Sequence, residues 1–167
     1  IDPETEKEVE QGKVGELLLK GPHIFSGYWE EPEETEKVIE EDGFVHTGDL
    51  AKQDDDGYYY IVGRRKEMYI SGGENVFPVE IEEVLYKHPA IDEAAVIGVP
   101  DDKWGEVGKA FITLKKGKST NSDDIKNYLS DKLAKYKIPK YFEIRDSLPM
   151  SGTGKILKKE LEKEEKA

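Results

Sequence analysis

The chain has 167 residues, 37% of them charged and 36% hydrophobic, with a formal net charge of −12. That length allows one ordinary domain, or a small domain with part of a second. The acidic balance disfavours nucleic-acid backbones and anionic membrane surfaces as partners, and zero cysteines exclude disulfides and thiolate metal sites while suiting a reducing cytosol.

The chain begins at Ile1, carries no basic leader or long apolar span, and reaches a strand-like run at residues 15–20 almost at once. This predicts an excised piece of something longer. Between Glu30 and Asp42 eight acids face one lysine, which reads as a short acidic helix over 32–41, solvated on its outer face and closed by the Asp42-Gly43 turn. Asp54 to Gly57 form a second turn, and the tyrosines from Tyr58 onward have the aromatic and β-branched bias of a strand. Residues 1–63 are therefore expected to be a small β-rich unit.

The pattern then changes, and 64–167 are expected to form a second domain. Pro78 suits the first position of a helix, with Ile81, Val84, Leu85 and His88 on one apolar stripe. Two strands are predicted at 93–99 and 107–114, the second with Ala110, Ile112 and Leu114 on one face. Ser122 is read as the cap of a helix that buries Ile125, Tyr128, Leu129 and Leu133. A strand at 141–145 and a terminal helix from about Lys155 complete the set. The fold class is α+β: a three-stranded sheet with helices, preceded by a β-hairpin and by the β-rich end of another domain.

Four stretches carry candidate chemistry. In His46-Thr47-Gly48-Asp49-Leu50 an aspartate at a glycine-loosened turn could hold vicinal hydroxyls, or simply fix its own turn. In Gly63-Arg64-Arg65-Lys66-Glu67 an arginine at a strand end could offer a planar fork of donors to a ribose or phosphate, or be a solvated turn. The glycines of Ser71-Gly72-Gly73-Glu74-Asn75 permit either close backbone approach to a ligand or a tight hairpin. In Pro149-Met150-Ser151-Gly152-Thr153-Gly154-Lys155-Ile156-Leu157 a Ser/Gly/Thr loop presents one lysine, which could stabilise charge on a phosphate or carboxylate oxygen or be one more lysine of a charged tail.

Taken in order with Gly15-Glu16, Gly27-Tyr28-Trp29, Gly57-Tyr58 and Trp104-Gly105-Glu106, these motifs make the whole chain resemble the C-terminal third of the adenylate-forming acyl-activating superfamily. That group includes acyl-CoA and aryl-CoA synthetases, peptide-synthetase adenylation domains and beetle luciferases. The resemblance implies that residues 1–63 end a large AMP-binding domain and that 64–167 form its mobile lid. It implies that Asp49 and Arg64 hold the ribose of ATP, that Lys66 is the hinge, and that Lys155 bridges the acid and the nucleotide during adenylation. Ser71, Gly72, Gly73 and Glu74 would line the pantetheine tunnel. Its partners would be a carboxylic acid, with a fatty acid favoured, ATP with Mg²⁺ held outside this chain, and coenzyme A. It would act in the cytoplasm, be inactive without its N-terminal domain, bind no nucleic acid and span no membrane, with oligomeric state open. Carrier-protein loading, a luciferase-like oxygenase and a non-catalytic nucleotide-binding module are the alternatives.

Overall fold

A computed structural model describes residues 1–166. The chain divides into two compact units, one of Ile1–Lys66 and one from Glu67 onward, each built on its own sheet.

The first unit is an antiparallel sheet of β1 (Val14–Leu19), β2 (Val45–Gln53) and β3 (Tyr59–Arg64), in that order. The acidic helix α1 (Pro32–Glu36) is shorter than the sequence suggests. Beyond it Ile39 pairs with Val45 across the Asp42-Gly43 turn, with Glu40 N–H donating to Phe44 O. An extended pairing thus claims the backbone that a longer helix would need, where crowded glutamates add nothing to helix stability. Strand β2 replaces the turn expected around Asp49. Its two-residue alternation is broken twice, because Thr47, Gly48 and Asp49 bulge opposite Leu17, and Leu50 and Ala51, adjacent in sequence, are both buried.

The second unit contains the hairpin β4 (Tyr69–Ser71) and β5 (Glu74–Val76), then α2 (Pro78–Tyr86), β6 (Ile91–Asp101), β7 (Gly105–Leu114), α3 (Ser122–Ser130), β8 (Tyr141–Ile144) and α4 (Lys158–Glu165). Strands β6 and β7 form a long antiparallel pair, and β8 joins β7 in parallel. The hairpin attaches to β7 through the single pair Ser71↔Gly105. The result is the expected α+β arrangement of three strands, helices and a preceding hairpin.

Both sheet faces are covered, so neither β6 nor β7 shows polar alternation. Ala94, Val96, Ala110 and Ile112 point to the face packed by Ile81 and Leu85 of α2 and by Ile125 and Leu129 of α3, with Leu114 partly buried against them. Ala95, Ile97, Val107 and Phe111 point to the other face, under Leu161 of α4 and Leu148. Two terminal details differ from the sequence reading. Helix α3 is capped by Asn121, whose extended backbone lets Oδ1 accept from Asp124 N–H at 3.0 Å, so Ser122 is already the first helical residue. Helix α4 starts at Lys158, because residues 151–155 close a separate loop. No helix among the described residues is long and apolar enough to cross a membrane.

Candidate functional site

The bulge in β2 positions the first candidate pair. Thr47 Oγ1 donates to Leu17 O at 2.7 Å and accepts from Asp49 N–H at 3.1 Å, while Gly48, at φ +69°, donates its N–H to Glu16 Oε1. Asp49 and Arg64 are cross-strand partners. Arg64 Nε lies 2.7 Å from Asp49 Oδ1, yet this buried nitrogen has no aligned hydrogen-bond acceptor. The contact is one of charge on charge, and Nη2 donates instead to Thr47 O at 2.9 Å. Each side chain keeps over a third of its surface in solvent, so the pair is screened and adds little to stability. What the geometry provides is a carboxylate and a guanidinium side by side, with one carboxylate oxygen left over.

Glu16 holds this bulge from below and carries no role in the motif reading beyond its place in the series. Its side chain is 3% exposed and takes Arg65 Nη1 at 3.1 Å, Gly48 N–H at 3.1 Å and His46 Nδ1 at 3.4 Å. The signal for it in the sequence is a glutamate inside an otherwise apolar strand. Lys66 is exposed, lies in a single 3-10 turn over Arg65–Glu67, and is the last residue of the first unit.

In the second unit, Gly72 and Gly73 form the two-residue turn of the β4–β5 hairpin with φ of +60° and +88°. Positive φ at both central positions is what such a turn requires and what other residues resist, so the hairpin alternative is realised. Ser71 is buried and Glu74 exposed. Gly72 N–H donates to Trp104 O at 2.9 Å, and the Trp104 ring lies so close that a Cβ on Gly72 would meet it at 2.8 Å. Beneath the hairpin, Tyr69 lies across the cross-strand pair Gly98↔Gly108, where an added Cβ would come within 2.5 Å of its atoms at either glycine. Its hydroxyl is buried without a hydrogen-bond partner among the described residues, and burial, with Glu106 nearby, pushes its pKa well above the usual tyrosine value.

Lys155 sits on a closed loop rather than at a helix mouth. Ser151 N–H donates to Lys155 O at 2.8 Å, Lys155 N–H donates to Ser151 Oγ at 3.0 Å, and Met150 pairs with Ile156. The side chain is exposed and, unlike Lys109, Lys137, Lys140, Lys158 and Lys163 of the same unit, forms no ion pair among the described residues. Lys158 is the residue the sequence reading missed. Burial works to lower its pKa, but Glu82 and Glu67 outweigh that and hold it above the usual lysine value. Its signal was helical spacing to Leu161, which is fully buried.

The family pattern for the AMP-binding enzyme C-terminal domain matches residues 80–155. That match lies within the second unit. A feruloyl-CoA synthase of an Amycolatopsis species is 48% identical over 92% of this chain and 31% of its own length. A long-chain-fatty-acid–CoA ligase of Bacillus subtilis is 46% identical over 90% of this chain and 27% of its own. The crystal structure of ATP-bound MatB from Rhodopseudomonas palustris superposes with a TM-score of 0.88 at 42% identity, over 98% of this chain and 33% of that one. This chain spans less than a third of the length of the curated relatives it matches. Residues 80–155 are thus similar to the C-terminal domain of AMP-binding enzymes, and nearly the whole chain is similar to part of such ligases.

Proposed function

We propose that this chain is the C-terminal part of an AMP-forming acid–thiol ligase. In that reaction a substrate carboxylate attacks the α-phosphate of ATP, forming an acyl-phosphate bond and releasing pyrophosphate. The thiol of coenzyme A then attacks the acyl carbon, forming the thioester and releasing AMP. In this reading residues 1–63 end the large AMP-binding domain and residues 64–167 are its lid, turning about Lys66. Asp49 accepts the ribose hydroxyls and Arg64 supports the same ribose. Lys155 lies between carboxylate and phosphate, where a cation offsets their repulsion and fixes the line of attack. Ser71, Gly72, Gly73 and Glu74 line the path of the pantetheine arm.

The observation that supports this most is the state of Lys155: an exposed, unpaired ammonium on a loop whose backbone is tied at both ends. A cation meant only for surface solubility needs no such loop. Among the described residues no group of three or more His, Asp or Glu is placed to hold a metal ion, and in this reading the Mg²⁺ of ATP is held by the large domain. A fatty acid is the favoured acid; relatives named for feruloyl and long-chain fatty acids support a carboxylic acid of that apolar kind. The absence of cysteine suits a cytoplasmic setting.

The test is AMP formation by the full-length protein, dependent on ATP, coenzyme A and acid, across acetate, medium-chain, long-chain and aryl acids. Turnover with at least one acid only when coenzyme A is present is the expected result. Activation of amino acids with transfer to a carrier protein would replace this reading with the carrier-loading one.

A further inference from the structure

Three residues beyond Lys155 the first residue of α4 turns inward. Lys158 is 16% exposed, and its Nζ lies 2.7 Å from Glu67 Oε2 and 2.8 Å from Glu82 Oε1. Lysines are rarely buried unless paired, and the neighbouring Lys159, Lys163 and Lys166 all stay at the surface. The two partners come from distant points of the chain. Glu67 is the first residue of the second unit, directly after Lys66. Glu82 lies on α2, and the same Oε1 accepts from Val96 N–H of β6 at 2.7 Å. One ammonium therefore joins the start of the unit, a helix, the central sheet and the end of the Lys155 loop.

The loop has little else to hold it. Residues 152–155 are exposed, and beyond the loop's own Ser151–Lys155 bonds its fixed points are the Met150↔Ile156 pair, the Leu157 N–H bond to Pro149 O, and Lys158. Ile156 packs partly against the α4 side of the sheet. Lys158 is the one of these that reaches out of the loop to the segment beside Lys66.

We propose that Lys158 is a positioning residue: by pairing with Glu67 and Glu82 it fixes the loop that presents Lys155 to the segment following Lys66, so that loop and segment move as one piece. This rests on the reading of Lys155 as the adenylation cation. A purely structural ion triad would instead support the fold and leave both half-reactions equally affected.

The experiment uses the full-length protein and measures two half-reactions separately: acid-dependent pyrophosphate release, and thioester formation from supplied acyl-adenylate. Lys158→Met, Lys158→Arg and Lys155→Ala are compared, with a melting curve for each. Lys158→Met is expected to slow adenylation roughly 10- to 100-fold while thioester formation stays within about twofold, since small misplacements of a reacting group have effects of this size. Lys158→Arg, which keeps the charge and both partners, restores most of the adenylation rate. Where Lys158→Met fails to fold because two carboxylates are left facing each other, Lys158→Met with Glu67→Gln removes one of the charges and is read the same way. Equal loss of both half-reactions overturns the proposal, as does unchanged adenylation in a Lys158→Met protein whose Lys155→Ala counterpart is slowed. If Lys155→Ala itself adenylates normally, the reading of Lys155 fails and this inference falls with it.

Discussion

The two units keep their candidate groups in opposite electrostatic states. In the first, Asp49 and Arg64 are set opposite each other in strand register and neutralise one another before any ligand arrives. In the second, Lys155 has no counter-charge among the described residues, whereas Lys158, three residues on, is paired with two carboxylates. A paired carboxylate suits a neutral partner such as a hydroxyl, because it can accept a hydrogen bond while its charge remains balanced. An unpaired ammonium suits the opposite task, meeting charge that grows during a reaction. The supports differ in the same sense. The first unit has few buried apolar side chains, chiefly Val45, Leu50 and Ala51, whereas the second has a core on both sheet faces.

That contrast can be sharpened by experiment, beginning with the cores. Phe111 is fully buried under α4, so Phe111→Ala should cost the second unit about 3–5 kcal/mol. Chemical denaturation followed by hydrogen exchange should show the loss in residues from Glu67 onward, with β1–β3 unchanged. A uniform loss would mean that the two units unfold as one. Next, on the proposed reading Lys155→Ala in the full-length protein should slow adenylation roughly 10²- to 10³-fold, the range for removing one preorganised charge-stabilising group. Asp49→Asn, which keeps the shape but leaves Arg64 unbalanced, should raise the KM for ATP about tenfold, equivalent to ~1.4 kcal/mol. If Asp49→Asn affected the chemical step and Lys155→Ala only nucleotide binding, the contrast would be reversed.

The smallest effect concerns pH. His88 is buried where α2 ends, edge-on to Tyr128 of α3. Desolvation lowers its pKa, Asp124 opposes that, and Lys115 and Lys132 reinforce it. The folded state therefore binds a proton less readily than the unfolded state. Its contribution to stability is fully present above the unfolded value of about 6.5 and is lost as pH falls toward the lower folded value. Melting of the second unit should soften between neutral and mildly acidic pH, and His88→Gln should flatten that dependence. An unchanged profile in the variant would assign the softening to other groups.

How much of this was legible in the chain followed from periodicity. Strands β6 and β7 and helix α2 stood out because long apolar segments and a 3.6-residue stripe survive translation into packing. Strand β2 was hidden because two bulges shift its register, so Leu50 and Ala51 are buried side by side and Gly48-Asp49 reads as a turn. The closed Lys155 loop was hidden for a different reason. Its glycines imply freedom, while its order comes from Ser151, whose N–H and Oγ both engage Lys155, and from Ile156 on the sheet. Ion pairs across long separations, such as Lys158 with Glu67, leave no local pattern at all.

Tyr69 gives the β4–β5 hairpin a particular mechanical character. Its root is buried, with the Tyr69 ring laid over two glycines and Val76 paired beside it, while next to the Gly72-Gly73 tip Ser71 pairs with Gly105 and Gly72 N–H donates to Trp104 O. It is a beam held at both ends, by burial at the root and by the backbone at the tip. The Gly72 amide should therefore exchange slowly although it sits at an exposed turn, and loss of that protection on Trp104→Ala would show that the ring holds the tip in place.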